Sequence, residues 1–530
     1  RMTVEAEKGV GKEELQKLNP ASGDPVKNLD EFVRLGRYGC LVLLTYELFL
    51  LTSITSIAFV MYAGASPDVI GCGEIPFDSS ENGCSVLANL KENSSLECEP
   101  RLKHQFYSVN VEFNLICEEG KAVKNSISYQ MVAVTIGSVA GGQMSDLFGR
   151  RRTLIVCCLG TCFFTLASAF ANSLFTWTAI RICNGFFAGG VTSVMSVWQV
   201  EHMPKRIRLQ VNTVLTWSPN FILFPIIAFF CGEWRSLSVA CSLLAASGAL
   251  SSWLMFESPR FLIQKGRIEE ARTILYKIRH LNGDKNEEEE MEIDKILAYE
   301  KKQLEGAKKQ KKHTFYHLFC TWKMMRWTLT LAFGNLTSSL VNYCILFNME
   351  KLSGSLYLNN VFFGLIRWCM NMAVGLLDHF IPKMGRKTIN FGAHFFIISC
   401  LSVIVGVYTS GQVSSLTNVI RLCSIVASAM CAQLYLAKFM TSTELYPTAV
   451  RNLANSVLAM SSRIGTIFGP QLYFLSYFNP SYPYLSLLIF CSTDLLLFQT
   501  VMPETKGRNL ENHLPPNEER IGYKQKAIDV

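Results

Sequence analysis

The stretch Glu201-His202-Met203-Pro204-Lys205-Arg206-Ile207-Arg208 has a counterpart 243 residues further along the chain, Glu444-Leu445-Tyr446-Pro447-Thr448-Ala449-Val450-Arg451. In both copies a glutamate precedes an arginine by seven positions, just after a long apolar run. Arg181 and Arg421 form a matched pair upstream, and acidic motifs that contain a proline lie downstream at Glu257 and Glu504. The chain is therefore expected to consist of two related halves of membrane helices, a pattern typical of carriers that bind a solute between the halves.

Uncharged segments recur along the chain at the length of a bilayer crossing. Of the 530 residues, 49% are hydrophobic and only 17% are charged, whereas soluble domains are about one-quarter charged. Residues 209–232 and 236–256 contain no charge, and each segment is longer than the roughly 20 residues that one crossing needs. The pattern predicts an all-α membrane protein with twelve spans, at 38–62, 126–146, 153–171, 175–200, 209–230, 235–256, 327–348, 356–379, 388–408, 418–442, 452–475 and 482–502.

The positive charges predict the orientation of these spans. With both termini in the cytosol, the short inner loops carry ten Lys and Arg residues and the short outer loops carry two, as the positive-inside rule requires. This bias accounts for the net charge of +8 without a nucleic-acid partner. The first 37 residues lack the features of a secretory signal peptide. The predicted divisions are a cytosolic N-terminus (1–37), a six-helix bundle (38–256), a cytosolic loop (257–325), a second bundle (326–502) and a cytosolic tail (503–530).

The first outer loop, 63–124, has the composition of an extracellular segment. It contains four cysteines, which predict two disulfides in one of three pairings, and the glycosylation sequon Asn93-Ser94-Ser95. A multi-pass protein of the plasma membrane is therefore expected. The four cysteines are Cys72, Cys84, Cys98 and Cys117.

Several motifs together resemble a known family. The segment Gly142-Gln143-Met144-Ser145-Asp146-Leu147-Phe148-Gly149-Arg150 resembles the cytoplasmic loop signature of the major facilitator superfamily. The long outer loop with its cysteines, the motif beginning at Glu257 and the motif beginning at Glu444 resemble the organic ion transporters, which include organic cation, organic anion and carnitine carriers. The resemblance implies two six-helix bundles related by a pseudo-twofold axis.

Acids and arginines at the cytosolic helix ends are predicted to form the inner gate of such a carrier. Single surface ion pairs contribute only about 0–1 kcal/mol, but several together can bias a two-state equilibrium. In the second half the acid expected before Gly385-Arg386 is absent, and Asp378 lies one helical turn earlier as a substitute. The alternative is that these residues only define topology and helix ends. The predicted gate residues are Asp146, Arg150, Glu201, Arg208, Glu257, Arg260, Glu444 and Arg451.

Ionisable residues inside the spans mark candidate substrate contacts, because charges at membrane depth are costly. Arg463 is the leading candidate, since the resemblance implies an arginine at this point in anion and carnitine carriers, and a guanidinium binds a carboxylate through two hydrogen bonds. Arg367 adds a second positive charge. Glu47, with the aromatic residues Tyr343 and Trp217, would instead suit an ammonium group. Each arginine has an alternative role as a buried partner of Glu47 or Asp494.

Other charges in the spans are expected to have structural roles. Arg181 is predicted to tie helices together, Lys438 to reach water near the inner end of its helix, and Asp494 to be paired or packed outside the cavity.

The leading hypothesis is a secondary-active or facilitative carrier that moves a small organic anion or zwitterion by alternating access. An organic cation carrier of the same build is the alternative, and a non-transporting membrane receptor is a second one. Nucleotide-binding, nucleophilic and metal motifs are not found, so neither an enzyme nor a cofactor nor a metal site is predicted. The expected partners are the solute, the bilayer and a coupling ion or exchange anion.

Overall fold

The described part of the chain has a helix at each of the twelve predicted spans. The computed structural model describes residues 36–73, 75–77, 83–84, 86–87, 89, 99–117, 119–204, 217–283, 287–306, 318–349, 352–381 and 384–506. The long helices, numbered α1–α12, are Arg37–Ala63, Lys121–Phe148, Arg150–Ser168, Leu174–His202, Trp217–Cys231, Trp234–Leu254, Trp322–Leu346, Leu356–Phe380, Arg386–Thr409, Thr417–Leu445, Thr448–Leu472 and Tyr482–Val501.

Nine of these helices, within the described residues, are long and apolar enough to cross a bilayer. The fifth helix, α5, is apolar but only 15 described residues long. α2 and α11 fall outside the nine because they carry many polar residues, such as the buried Ser126, Ser128 and Gln130 of α2. Polar residues on a membrane helix are tolerated where they face the protein interior. α2 and α11 pack against one another there.

The described chain divides into two compact units. The smaller unit contains the described residues within 1–40, 201–208 and 257–310. Its core joins the surface helices Pro259–Gln264, Ile268–Asn282 and Glu287–Gly306. The helix Ile268–Asn282 is amphipathic, and its buried Ala271 and Leu275 pack among Phe261, Ile293 and Leu297.

The larger unit contains the twelve-helix bundle, in which the two halves of the chain use matching packing partners. α3 packs on α6 in the first half, and α9 packs on α12 in the second. α4 and α10 have the same length of 29 residues. Between the halves, α2 packs on α11 and α8 packs on α5. When each helix is replaced by the helix six places away, the α2–α11 contact becomes the α8–α5 contact. A pseudo-twofold relation between the halves requires this exchange. The boundary between the two predicted six-helix bundles stays a prediction.

The loop between α1 and α2 is an anchored small domain. It forms a three-stranded antiparallel sheet of order β2-β1-β3, with strands β1 (Asp68–Cys72), β2 (Ile75–Pro76) and β3 (Pro100–Lys103). A disulfide joins Cys84 to Cys117, and Cys72 is also disulfide-bonded. Only one of the three pairings of the four cysteines contains Cys84–Cys117. Asn93 and Cys98 lie outside the described residues.

Glu112 attaches this loop to the helix bundle. Its carboxylate accepts hydrogen bonds from Trp234 Nε1 at 2.7 Å and from Arg235 Nη2 at 2.5 Å. Partial burial raises the pKa of Glu112, but the hydrogen bonds from Arg235 and Trp234 outweigh it, so the pKa lies below its ordinary value. We call the end of the bundle that carries this loop the outer end and the opposite end the inner end, following the predicted orientation.

Candidate functional site

A cavity of about 310 Å³ lies between the two halves of the bundle. This volume is at the lower end of the range for small-molecule sites. α1 and α5 contribute its wall from the first half, and α7, α8, α10 and α11 contribute from the second. The lining residues are Ile54, Ile57, Ala58, Trp217, Phe221, Asn342, Tyr343, Leu346, Arg367, Tyr435, Ala459, Ser462 and Arg463.

Among the described lining residues, two arginines supply all the formal charge of the cavity wall. Arg367 of α8 has its guanidinium 5.8 Å from the ring centres of both Phe221 and Phe363, and its Nε is buried without a hydrogen-bond partner among the described residues. Arg463 of α11 is half-buried. Within the part of the chain that the structure describes, no acid forms an ion pair with either arginine, and the lining residues include no acid.

Hydroxyl groups next to Arg463 form a short chain around the cavity wall. Ser339 of α7 is hydrogen-bonded at 2.6 Å to the Tyr435 hydroxyl of α10 and at 2.6 Å to the Ser462 hydroxyl of α11. Ala459, Ser462 and Arg463 have the i, i+3, i+4 spacing that places residues on one helix face. This spacing was the signal in the sequence for Ser462, which the sequence analysis did not predict. Asn342, Phe221 and Tyr435 also line the cavity without having been predicted.

Four of the five predicted substrate contacts meet at this cavity. Tyr343 and Trp217 line it together with the two arginines. The fifth, Glu47, is not one of the lining residues. Its Oε1 accepts a hydrogen bond of 2.8 Å from Asn220 Nδ2 of α5, and its Oε2 is buried without a partner among the described residues. Glu47 lies seven residues before Ile54 on α1, so a rise of 1.5 Å per residue separates them by about 10 Å.

A buried cluster of charged side chains lies in the second half, away from the lining residues. Lys438 of α10 lies 2.6 Å from Asp494 of α12, and His394 of α9 lies 3.0 Å from the same carboxylate. All three side chains are fully buried. The expectation that Lys438 reaches water is therefore wrong, because its ammonium group is enclosed by acceptors inside the bundle. Asp494 is paired, as predicted.

Arg181 and Arg421 occupy related places in the two halves. Arg181 of α4 donates to the Ser56 carbonyl at 2.6 Å and to Gln130 of α2 at 3.3 Å. Arg421 of α10 donates to Asn359 of α8 at 2.6 Å. Each arginine therefore joins the fourth helix of its half to the second, the tying role predicted for Arg181.

Charged residues form a network at the inner end of each half. Asp146 and Arg150 form an ion pair of 2.9 Å. In the second half, Arg386 bonds Glu444 at 2.9 Å and Asp378 at 3.1 Å. Asp378 thus occupies the role of the missing acid. Lys506, beyond α12, also bonds Asp378, at 2.8 Å.

The other predicted gate residues have local contacts. Glu444 accepts from the Thr505 hydroxyl at 2.7 Å and pairs with Arg386 at 2.9 Å. Arg451 instead donates to the Tyr446 carbonyl at 3.3 Å. Glu257 accepts from the Ser258 N–H at 3.1 Å, and burial lowers the pKa of Arg260. Glu201 lies at the inner end of α4, and Arg208 lies outside the described residues.

Glu504 caps the first turn of α9. Its carboxylate accepts from the N–H groups of Arg386 and Lys387 at 2.8 and 3.1 Å, where the helix N-terminus has free donors. Partial burial raises the pKa of Glu504, but these backbone N–H groups and those of Thr505 and Lys506 outweigh it, so the pKa lies below its ordinary value. The described residues contain no group of three or more His, Cys, Asp or Glu placed to hold a metal ion.

Comparisons with known proteins agree with this architecture. The family described as "Sugar (and other) transporter" matches residues 101–513. The chain is 28% identical to the organic cation transporter protein of Drosophila melanogaster over 462 residues, covering 85% of this chain and 82% of that protein. It is 25% identical to human organic anion transporter 3 over 445 residues, covering 80% of this chain and 79% of that protein.

The fold is similar to that of a solved structure, the inward-open xylose transporter XylE from E. coli. The TM-score is 0.63 at 15% sequence identity, and the similarity covers 91% of this chain and 98% of that one. Since the family match extends over more than half of the sequence, the chain belongs to the sugar (and other) transporter family of the major facilitator superfamily, a family of membrane transporters and not of enzymes.

Proposed function

We propose that this transporter moves a small organic anion, or a zwitterion held by its carboxylate, across the plasma membrane. The observation that carries the proposal is the charge of the cavity wall, where Arg367 and Arg463 lie with no acid among the described lining residues. A buried guanidinium without a counter-charge is costly, and an anionic solute would supply that charge. Carboxylates and sulfates match the planar donor geometry of arginine.

The aromatic side chains of the wall are consistent with a solute that also has an apolar body. Trp217, Tyr343, Phe221 and Tyr435 provide large apolar surface with polar groups at few points, as is usual in small-molecule sites. The hydroxyls of Ser462 and Tyr435 lie beside Arg463 in the wall and can bond further oxygens of the solute.

An organic cation is the competing cargo. Glu47 is the acid that would hold an ammonium group, but it lies outside the lining residues and is hydrogen-bonded to Asn220. The two relatives do not decide between the alternatives, since one is named for organic cations and the other for organic anions. The arginines therefore favour the anion or zwitterion, with Glu47 retained as a contact for a cationic group of a zwitterion.

Transport would follow alternating access, in which the two bundles rock around the cavity. Hydrogen bonds between the halves are found at the outer end, where Lys124 bonds Asn348 at 2.5 Å and Gln471 bonds Ser128 at 2.9 Å. In the proposed cycle these bonds break when the outer end opens, while the predicted inner gate of Asp146, Glu201, Glu257 and Glu444 with arginines holds the inner end closed. The energy would come from a gradient or from exchange with another anion.

Uptake by cells that make the protein tests the proposed cargo. Labelled aromatic carboxylates, carnitine and quaternary amines are offered to cells with the unchanged chain and with Arg463→Ala. We expect carboxylate or carnitine uptake, lowered about tenfold or more by Arg463→Ala, because a hydrogen bond to a charged group contributes about 1.5–3 kcal/mol. Arg463→Lys retains the charge but not the two-pronged geometry, so it should recover uptake only in part.

The matched control is Arg267→Ala, which removes an exposed arginine paired with Glu270 outside the helix bundle. Surface protein is quantified for every variant, so that lost uptake is not confused with lost delivery. If quaternary amines alone enter and Arg463→Ala leaves their uptake unchanged, the anion proposal is wrong. Solute binding without flux in proteoliposomes would favour the receptor alternative.

A further inference from the structure

We infer that Lys438, Asp494 and His394, together called the buried triad, bind an exchangeable proton inside the second half of the bundle. The inference goes beyond the proposed cargo and does not depend on the charge of the solute. It rests on hydrogen-bond geometry, because the distances around His394 require more protons than the neutral ring can provide.

Both nitrogens of the His394 ring face acceptor oxygens. Nδ1 lies 2.9 Å from the carbonyl oxygen of Asn390, and Nε2 lies 3.0 Å from Asp494 Oδ2. Both distances are those of hydrogen bonds. A neutral imidazole carries one N–H donor and one acceptor nitrogen, so it can satisfy only one of two facing carboxylate or carbonyl oxygens.

The bond to Asn390 determines which proton is exchangeable. A carbonyl oxygen only accepts, so Nδ1 must carry a hydrogen. The remaining bond to Asp494 then needs a proton of its own, on Nε2 opposite a carboxylate or on the carboxyl group opposite a neutral Nε2. The two arrangements contain the same number of protons. Loss of that proton to water leaves two lone pairs facing each other across 3.0 Å.

Lys438 has no spare donor to compensate for this loss. Its ammonium group binds Asp494 at 2.6 Å, the Gly334 carbonyl at 2.6 Å and the Ser338 hydroxyl at 2.9 Å, which occupies its three N–H groups. The three residues of the triad lie on α9, α10 and α12, and α7 adds the two acceptors Gly334 and Ser338. Among the described residues, the thiols of Cys431 on α10 and Cys491 on α12 also interact with the charged groups of the triad.

The proton would affect helices that form the transport cavity. On α10, Lys438 lies one turn from Tyr435 of the cavity wall. On α7, its acceptor Ser338 is followed by Ser339, whose hydroxyl is hydrogen-bonded to Tyr435. A proton bound at the triad therefore strengthens the contact of α9 with α12 behind the cavity wall. The proton acts as a ligand that binds and stabilises the folded bundle, so its release weakens the packing of α9 on α12.

Thermal unfolding of the full-length protein in lipid nanodiscs, from about pH 5.5 to pH 8.5, tests the inference. We expect the unfolding midpoint of the unchanged protein to fall by about 2 °C or more as the pH rises, because the folded state holds a proton that the unfolded state releases. His394→Asn should remove this part of the pH dependence. His280→Asn, which replaces an exposed histidine, should retain it. Equal pH profiles for the unchanged protein and His394→Asn would overturn the inference.

Infrared spectroscopy supplies a second measurement that does not require His394→Asn to fold. It is recorded at about pH 7.5 on Glu47→Gln, which removes the buried acid beside Asn220 and leaves the triad intact. A histidine with the ordinary pKa of about 6.5 is mostly neutral at this pH. We expect the signal of either an imidazolium ring or a protonated carboxyl group, corresponding to the two arrangements of the proton. The absence of both signals would overturn the inference.

Discussion

Two pairs of charged side chains at membrane depth differ in how their charge is compensated. Lys438 and Asp494 neutralise each other inside the second half, where a buried pair is tolerated because every donor has an acceptor. Arg367 and Arg463 lie at the cavity between the halves without an acidic partner among the described residues. The first pair explains how the bundle tolerates charge, and the second supports the proposed cargo.

The buried pair makes a prediction about single and double substitutions. Lys438→Met should lower the free energy of unfolding by about 3–5 kcal/mol, because it removes one partner of a buried ion pair. Lys438→Met combined with Asp494→Leu should recover most of this loss, since no charge then remains. Chemical denaturation of the three proteins in detergent measures the difference. A double variant no more stable than the single one would contradict the prediction.

The helices approach one another most closely where glycines replace side chains. A Cβ atom added at Gly137 of α2 would lie 1.9 Å from the Phe186 carbonyl of α4, and one added at Gly189 would lie 2.1 Å from the Val134 carbonyl. A Cβ atom does not fit at these distances, so α2 and α4 can approach this closely only where the residue is glycine. Small residues have this role in membrane helix packing generally.

Two glycines of α2 provide a matched comparison. Gly137→Ala should destabilise the bundle by about 2 kcal/mol or more, because the backbone of α4 must move away. Gly142→Ala has the same effect on helix propensity, but no atom lies within 4 Å of the added Cβ, so it should be neutral or slightly stabilising. The thermal midpoint of each purified variant measures this. Equal losses at both positions would show that close packing is not the cause.

The outer ends of the two halves are joined in this conformation. Ser128 of α2 contacts Gln471 of α11 at 2.9 Å and the Ile467 carbonyl at 3.0 Å, and Tyr62 of α1 stacks on Tyr357 of α8 at a ring-centre distance of 5.7 Å. The Gln105 side chain in the outer loop donates to the Gly354 carbonyl at 2.9 Å. These contacts must break if a solute enters the cavity from the outer end.

A reversible cross-link tests this requirement. Oxidation of a Ser128→Cys, Gln471→Cys protein should stop uptake, and reduction should restore it, because the disulfide would hold the outer end closed. The control is Ser126→Cys with Thr178→Cys. Those hydroxyls are 2.7 Å apart within one half, so their cross-link should leave most uptake intact. Full transport with the first cross-link formed would refute alternation at the outer end.

The sequence alone determined the number of long helices and the repeat between the halves. Apolar length reports membrane crossings directly, and a duplicated motif such as Glu201–Arg208 against Glu444–Arg451 shows a repeat without coordinates. It also placed Arg463, Arg367, Tyr343 and Trp217 within spans, and all four reach the cavity. Depth in the bilayer is a property of position along one helix, so it can be read from the chain.

Only the tertiary structure decided which residues meet across helices. Lys438 is paired with Asp494 and does not reach water. Glu444 pairs with Arg386 and not with Arg451, which is closer in sequence. Glu47 is hydrogen-bonded to Asn220 outside the cavity wall. The physical reason is that the rotation of each helix about its axis, and the neighbour that it faces, result from packing of the whole bundle. Spacing along the sequence gives the depth of a residue along its own helix, but it does not give the residue that it faces on a neighbouring helix.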